Sequence, residues 1–188
     1  MKLKNIEKKL GGKFIHRYDL TYETEDGGKK VYEMISRNPE IRTEEYLISK
    51  KPDAVVLIIT DESGERILID REFRMATGEW IYNFPAGLID PGETPEAAAK
   101  RELWEETGLE LYEIEDKIPL SYSAIGFANE TNVCIVGKAR GAFRKSTSVV
   151  EEIVPGWYTK EEVRELIRKE PFAARTQAYC YVWSREQV

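Results

Sequence analysis

Three glutamates at helical spacing are the residues of this chain best suited to chemistry. Glu102, Glu105 and Glu106 stand at i, i+3 and i+4, so in a helix their carboxylates share one face. Like charges at this spacing destabilise a helix by roughly 0.2–0.5 kcal/mol per pair, which an ordinary solvated surface helix tolerates. The alternative is a cation site, because clustered carboxylate oxygens are the ligands that Mg²⁺ and Mn²⁺ prefer, and a cation would remove the repulsion.

The helix that carries these glutamates is predicted to run from about Pro95 to Thr107. Thr94 is a favourable N-cap, Pro95 suits the first helical position, and Gly108 is a typical C-terminal stop. The side opposite the carboxylates is apolar and should be buried, which fixes the orientation of the helix: Ala98, Ala99 and Leu103. The preceding turn Pro85-Ala86-Gly87 is expected to direct its backbone carbonyls towards the carboxylates.

The rest of the chain alternates short strands with a second helix. Residues 14–24 and 31–36 predict a hairpin that turns at Asp26-Gly27. Further strands are predicted at residues 54–60, 66–74, 81–87, 121–124, 131–136 and 154–158. A second helix begins at Thr159, which forms a capping box with Glu162. We therefore expect an α/β sandwich, with residues 1–50 as a small N-terminal β-strand unit and residues 51–188 as the main domain.

Composition excludes several classes of function. The 188 residues carry a formal charge of −6, which argues against a nucleic-acid-binding protein. His16 is the single histidine, too few for a histidine-rich zinc site or a Ser-His-Asp triad. Cys134 and Cys180 lack CxxC spacing and are expected to be buried, reduced thiols. No apolar run reaches about 18 residues and the N-terminus lacks the apolar core of a signal peptide, so a cytoplasmic protein without membrane contact is expected.

Residues 87–109 resemble the signature of the Nudix hydrolases. That signature is a glycine, five residues, a glutamate, seven residues, and then REUxEExGU, where U is a bulky aliphatic residue. The chain matches it at every defined position: Gly87, Glu93, Arg101, Glu102, Leu103, Glu105, Glu106, Gly108 and Leu109. The resemblance implies a Nudix-type α/β/α sandwich with a mixed sheet, beside the small N-terminal unit.

The same resemblance implies roles for the motif residues. Glu102 and Glu106 would be the main ligands of a Mg²⁺ ion, with Mn²⁺ possible, and Glu105 would share a second ion and so take part in catalysis. The backbone carbonyl of Ala86 would complete the metal site. The residues that brace the loop against the helix would be Gly87, Glu93 and Arg101.

Most of the chain is similar to the ADP-ribose and ADP-sugar pyrophosphatase branch, which implies a homodimer formed through the N-terminal strands. Arg74, and less closely Arg71, match substrate-binding arginines, although charges at a strand end would explain them equally well. Glu130 matches another substrate-binding position. The branch places a catalytic glutamate after the motif, where Glu151 is favoured over Glu152; both could instead be solvated charges.

The chain departs from the branch at two positions. Asn83 replaces a glutamate typical of the branch, and Ile125 replaces a proline. The metal site is unaffected, whereas the substrate is left open. The sequence predicts a metal-dependent pyrophosphohydrolase that cleaves a small nucleotide, ADP-ribose or a similar nucleoside diphosphate sugar, to a nucleoside monophosphate and a sugar phosphate. The alternatives are a nucleotide-sensing protein without turnover and a dinucleotide hydrolase.

Overall fold

The chain divides into two compact units. The computed structural model describes residues 1–48, 50–148 and 150–186. One unit comprises Met1–Asp53 with Leu120–Asn132, and the other comprises Ala54–Pro119 with Val133–Val188. No local pattern had indicated that residues 120–132 join the N-terminal unit. The predicted division at residue 50 stays a prediction.

The N-terminal unit is built on a three-stranded antiparallel sheet in the order β1-β2-β3. Its strands are β1 (Lys2–Gly11), β2 (His16–Glu23) and β3 (Lys29–Ser36). The predicted hairpin is confirmed as β2 and β3, with Gly27 at φ 82° in the turn. Strand β1 was not predicted, because its lysine-rich residues are nearly all exposed and show no alternation. The small core of this unit contains Tyr18, Leu20, Met34 and Ile41.

The main sheet has seven strands, in the order β10-β5-β4-β9-β8, with β6 paired to β5 and β7 paired to β4. Its strands are β4 (Ala54–Thr60), β5 (Arg66–Arg74), β6 (Glu79–Asn83), β7 (Ala86–Leu88), β8 (Glu110–Tyr122), β9 (Thr131–Arg140) and β10 (Ile153–Thr159). The strand predicted at residues 81–87 is interrupted at Phe84 and Pro85, since proline cannot donate to a ladder. The strand predicted at 121–124 is wrong: β8 starts earlier and ends at Tyr122, and its exposed, acidic sequence concealed it.

Three α-helices of the described ranges accompany this sheet. Helix α1 (Pro95–Thr107) is confirmed: the Thr94 side chain accepts a hydrogen bond from the N–H of Ala97, and Gly108 ends the helix at φ 81°. Helix α2 (Lys160–Lys169) is confirmed together with its capping box. Helix α3 (Ala174–Trp183) was not predicted; its N-cap is an alanine that makes no side-chain hydrogen bond, so the usual start signal is missing. No helix in the described ranges is long and apolar enough to cross a membrane.

The sheet of the second unit is covered on both faces. Alternate residues of β4 face two separate cores, as the period of a strand requires. Val55, Leu57 and Ile59 pack with the buried side of α1, whereas Val56 and Ile58 pack with residues of α2 and α3. This is the predicted α/β/α sandwich, which is therefore confirmed.

The cysteines are free thiols, with Cys180 buried and Cys134 half-buried, and burial raises the pKa of Cys180 to about 12 and of Cys134 to about 11.

Candidate metal centre

An acidic cluster forms where α1 faces β5. It comprises Asp70, Glu72, Glu102, Glu106 and Glu151. Asp70 and Glu72 lie on β5, Glu102 and Glu106 lie on α1, and Glu151 precedes β10. The negative charges of the other four residues raise the pKa of the Glu106 carboxyl. All five residues belong to the second unit, so the cluster is complete within it.

Asp70 and Glu106 are the buried centre of the acidic cluster. Their exposed fractions are 2% and 7%. Burial raises the pKa of both carboxyls well above the ordinary range, Glu72 adds to the effect on Asp70, and Asp70 adds to the effect on Glu106. Within the described residues, Oδ1 of Asp70 and Oε2 of Glu106 have no hydrogen-bond partner. Such buried oxygens require a proton, a water molecule or a cation as partner.

Glu102 lies between the buried pair and a guanidinium. Nη1 of Arg101 donates to its Oε1 at 2.7 Å. Burial raises the pKa of Glu102, and Arg101 opposes that rise. Gly87 packs directly on this carboxylate, because a Cβ at position 87 would lie 1.9 Å from Cδ of Glu102. A glycine is therefore required here for space rather than for backbone conformation.

The turn before α1 directs two of its carbonyls to the sheet. The N–H of Leu57 donates to the carbonyl of Pro85 at 2.9 Å, and Gly87 is paired with Val55. The expectation that all the carbonyls of this turn face the carboxylates is therefore wrong for Pro85 and, two residues along the same ladder, for Gly87. Since hydrogen-bonding direction alternates along an antiparallel strand, the carbonyl of Ala86 points away from β4 and is not used by that ladder.

Arg101 joins α1 to the loop in front of it. Its Nε and Nη2 donate to the two carboxylate oxygens of Glu93 at 3.0 and 2.8 Å, and Nη2 also donates to the carbonyl of Leu88 at 2.9 Å. Glu93 accepts a further bond from the N–H of Asp90 at 3.1 Å. The hydrogen bonds from Arg101 are the main cause that lowers the pKa of Glu93. The contact is bidentate, which fixes direction as well as distance.

The remaining glutamates of the motif region are more exposed. Glu105 lies 3.4 Å from Nη1 of Arg101, and its backbone carbonyl accepts from the N–H of Thr147. Glu151 is exposed and close enough to raise the pKa of both Glu102 and Glu106. Glu152 is exposed, and its carbonyl accepts from the N–H of Phe73. Val149, in the same segment, lies outside the described residues.

The predicted substrate-binding residues are dispersed. Nη1 of Arg74 is 3.3 Å from Oε2 of Glu72, beside the acidic cluster. The guanidinium of Arg71 lies 5.1 Å from the ring centroid of Trp80. Glu130 belongs to the N-terminal unit, where its partners are Arg37 and Ser123.

Sequence reasoning missed Asp70 and Glu72. Both lie in the strand that had drawn attention only for its arginines. Asp70 directly follows three fully buried aliphatic residues, Ile67, Leu68 and Ile69. A carboxylate at a buried strand position is costly unless it has a partner, and this signal could have identified it.

The donor set fits a divalent cation. Hard carboxylate oxygens lie near one another, two of them without hydrogen-bond partners among the described residues, and the missing Cβ of Gly87 admits the Glu102 carboxylate. In the part of the chain that the structure describes, no three His, Cys, Asp or Glu side chains lie as close together as the ligands of a bound metal ion do. Glu102 contacts Arg101 instead.

Comparison with known proteins places this geometry in a family. The NUDIX domain model matches residues 50–179. An ADP-ribose pyrophosphatase of Bacillus subtilis is 43% identical over 84 residues, 44% of each chain. An ADP-sugar pyrophosphatase of Mus musculus is 35% identical over 100 residues, which is 52% of this chain and 43% of the relative. The chain thus spans about half the length of the curated relatives it matches.

A solved structure supports the fold. A protein described as an ADP compounds hydrolase superposes with a TM-score of 0.75 at 19% identity, covering 98% of this chain and 93% of that one. At this identity the likeness concerns the fold alone. The family model covers more than half of the chain and includes the whole acidic cluster. The chain belongs to the NUDIX domain family.

Proposed function

We propose that this protein is a hydrolase that depends on a divalent cation and cleaves the diphosphate linkage of a nucleoside diphosphate sugar. The products would be a nucleoside monophosphate and a sugar phosphate, with ADP-ribose or a similar compound as substrate. The observation that carries the proposal is the buried pair Asp70 and Glu106, whose unpartnered oxygens lie beside further carboxylates. The names of the relatives support the substrate class.

Mg²⁺ is the proposed cation, with Mn²⁺ as the alternative. Glu102, Glu106 and the carbonyl of Ala86 would hold it, and Glu105 would contribute to a second ion. When bound, the cation would neutralise charge on the diphosphate oxygens and polarise the linkage to be cleaved. The carboxylates could then ionise together, because the cation replaces the proton that burial otherwise favours.

Glu151 is the proposed general base. Its exposed side chain lies on the segment before β10, next to the buried pair, and no histidine is near it in sequence. It would accept a proton from the attacking water while the water oxygen bonds to phosphorus and the bridging P–O bond breaks. Glu152 is the alternative base. The departing phosphate would retain the bridging oxygen.

Substrate binding is assigned to three further residues. Arg74 would exchange its contact with Glu72 for the diphosphate, since a guanidinium forms bidentate bonds to phosphate oxygens. Arg71 is the second proposed phosphate ligand. Glu130 is the proposed contact in the N-terminal unit.

Assembly and location are proposed from the sequence. A homodimer through the N-terminal strands would cover apolar side chains that are exposed in this unit, including Leu10, Phe14 and Val31. We assign the protein to the cytoplasm and expect a small-molecule substrate rather than nucleic acid or a membrane, consistent with the formal charge of −6.

A substrate panel tests the proposed function. ADP-ribose, other nucleotide sugars, dinucleotides and nucleoside triphosphates are incubated with the protein and Mg²⁺ or Mn²⁺, and products are separated by ion-exchange chromatography. We expect a nucleoside monophosphate and a sugar phosphate as products, and we expect no product when a chelator is present. Preferred cleavage of a dinucleotide would reassign the substrate. Tight binding of a nucleotide without turnover would favour the alternative function, a nucleotide-sensing protein.

A further inference from the structure

A line of hydrogen bonds connects α3 to the acidic cluster. Oγ1 of Thr176 donates to Oδ1 of Asn83 at 2.9 Å, and Nδ2 of Asn83 donates to Oε1 of Glu72, also at 2.9 Å. At the other end, the N–H of Phe84 donates to Oγ1 of Thr176 at 3.1 Å. We call these three bonds the Asn83 relay.

The direction of the Asn83 relay is fixed by its two ends together. A backbone N–H can only donate, so the hydroxyl oxygen of Thr176 accepts there, and its own proton is available for the carbonyl oxygen of Asn83. At the other end, an ionised Glu72 carboxylate can only accept, so the amide NH₂ of Asn83 must face it. The two ends together assign the orientation of the Asn83 amide.

The Asn83 relay is shielded from water and mechanically supported. Thr176 is fully buried, and Asn83 is 9% exposed. Two backbone bonds of 2.9 Å connect β6 to the segment that begins α3, one from Tyr82 N–H to the Pro171 carbonyl and one from Ala173 N–H to the Tyr82 carbonyl. Few water molecules can compete for the three bonds, and both supporting elements are held at a fixed distance.

We propose that Asn83 and Thr176 are positioning residues that hold the Glu72 carboxylate towards Glu106 in the acidic cluster. The inference rests on the proposed function, because it gives the Asn83 relay a role in binding the cation. Glu72 is well placed for this effect, since it acts on both buried carboxyls, and its second oxygen lies 3.3 Å from Nη1 of the exposed Arg74.

The identity of residue 83 follows from the same geometry. An aspartate of the same size could still accept from Thr176, but it would present an acceptor and a negative charge to Glu72. Of the two planar side chains, only the amide can accept from Thr176 with its oxygen and donate to Glu72 with its nitrogen. Position 83, where the chain departs from the branch it resembles, is thus matched to Thr176 on α3.

Three variants and one control test the proposal. Thr176→Val removes the hydroxyl at nearly constant volume, Thr176→Ser retains it, and Asn83→Asp reverses the group that faces Glu72. The control is Thr131→Val, because Thr131 is also fully buried and its hydroxyl contacts Asp53 in the N-terminal unit at 2.9 Å. Titration calorimetry measures Mn²⁺ and Mg²⁺ binding to the substrate-free protein, and kcat, KM and Tm are measured alongside.

We expect Thr176→Val to weaken cation binding by about 10- to 100-fold, the usual range when the partner of a metal-facing group is lost. The value of kcat should fall with it while KM for the nucleotide changes little. Thr176→Ser should restore both, and Asn83→Asp should show the largest loss. Thr131→Val should lower Tm without changing cation affinity.

Two results would overturn the proposal and separate its failure from that of the proposed function. Wild-type cation affinity in Thr176→Val or Asn83→Asp, with only Tm reduced as in Thr131→Val, would make the Asn83 relay merely structural. Asn83→Asp decides the matter if Thr176→Val does not fold. Absence of cation binding by the wild-type protein would instead refute the proposed function and the inference together.

Discussion

Two acidic groups that contact or belong to helix α1 have opposite surroundings. Near its start, Glu93 of the preceding loop receives two bonds from Arg101 and one from a backbone N–H, and its pKa is lowered. Near its end, Glu106 faces Asp70, both are buried, and the pKa of each carboxyl is raised. The protein itself compensates the charge of Glu93, whereas no positive charge among the described residues is found to offset Asp70 and Glu106.

The difference shows how one helix can separate rigidity from chemistry. The contact between Arg101 and Glu93 holds the loop in place without any ligand. The pair of Asp70 and Glu106 is unfavourable when both are ionised, so it becomes stable only with a proton or a cation. Glu102 lies between the two and experiences both influences, since Arg101 lowers its pKa while burial raises it.

The largest effect is expected at the uncompensated pair. Glu106→Gln keeps the shape of the side chain but removes its charge, so turnover with Mg²⁺ should fall by more than about 100-fold, beyond the range seen when only the partner of a ligand is lost. Steady-state kinetics on the best substrate of the panel measures this, and circular dichroism confirms that the fold persists. Activity close to wild type would show that the pair is not a metal site.

A second comparison separates the two glutamates before β10. Glu151→Gln should lower kcat by about 100-fold or more, the lower end of what a general base contributes. Glu152→Gln is the matched control and should remain within about twofold, because Glu151 is close enough to raise the pKa of Glu106, whereas Glu152 contacts Phe73 through its backbone carbonyl. Equal losses in both variants would remove the assignment of the base to Glu151.

The compensated pair should respond in stability more than in chemistry. Arg101→Lys retains the charge but cannot form the bidentate contact with Glu93, so the free energy of unfolding should fall by about 1–3 kcal/mol. Urea denaturation in the presence of a chelator measures this loss without the contribution of a bound cation. An unchanged midpoint would mean that the contact does not brace the loop.

The smallest effect is a difference in pH dependence. The folded protein raises the pKa of Glu106 above its ordinary value of 4.5, so this group favours folding when it is protonated, at pH below about 4.5. That contribution is lost as pH rises through the raised pKa. In a chelator, the stability of the wild type relative to Glu106→Gln should therefore decrease from about pH 4.5 upwards, and Mg²⁺ should reverse the decrease. Urea midpoints of both proteins across this pH range measure the sign of the change in relative stability. If the two stability curves run parallel with pH, the prediction is contradicted.

The elements that the sequence predicted correctly are those with strong local signals. Helix α1 has a cap, a proline and a glycine stop, and α2 has a capping box. Strand β4 is a continuous apolar run. Strands β1 and β8 and helix α3 were missed or misplaced, because they are exposed or lack a cap and owe their structure to neighbouring elements.

The sequence by itself determined the family and the three glutamates on one helical face, because a motif and a helical period are local properties of the chain. Only the tertiary structure decided which carboxylates are buried. Asp70 and Glu72 are far from Glu106 in sequence, and burial, which depends on what packs around a group, raises the pKa of Asp70 and of Glu106. The same holds for Asn83, whose departure from the branch is explained by Thr176, 93 residues further along the chain.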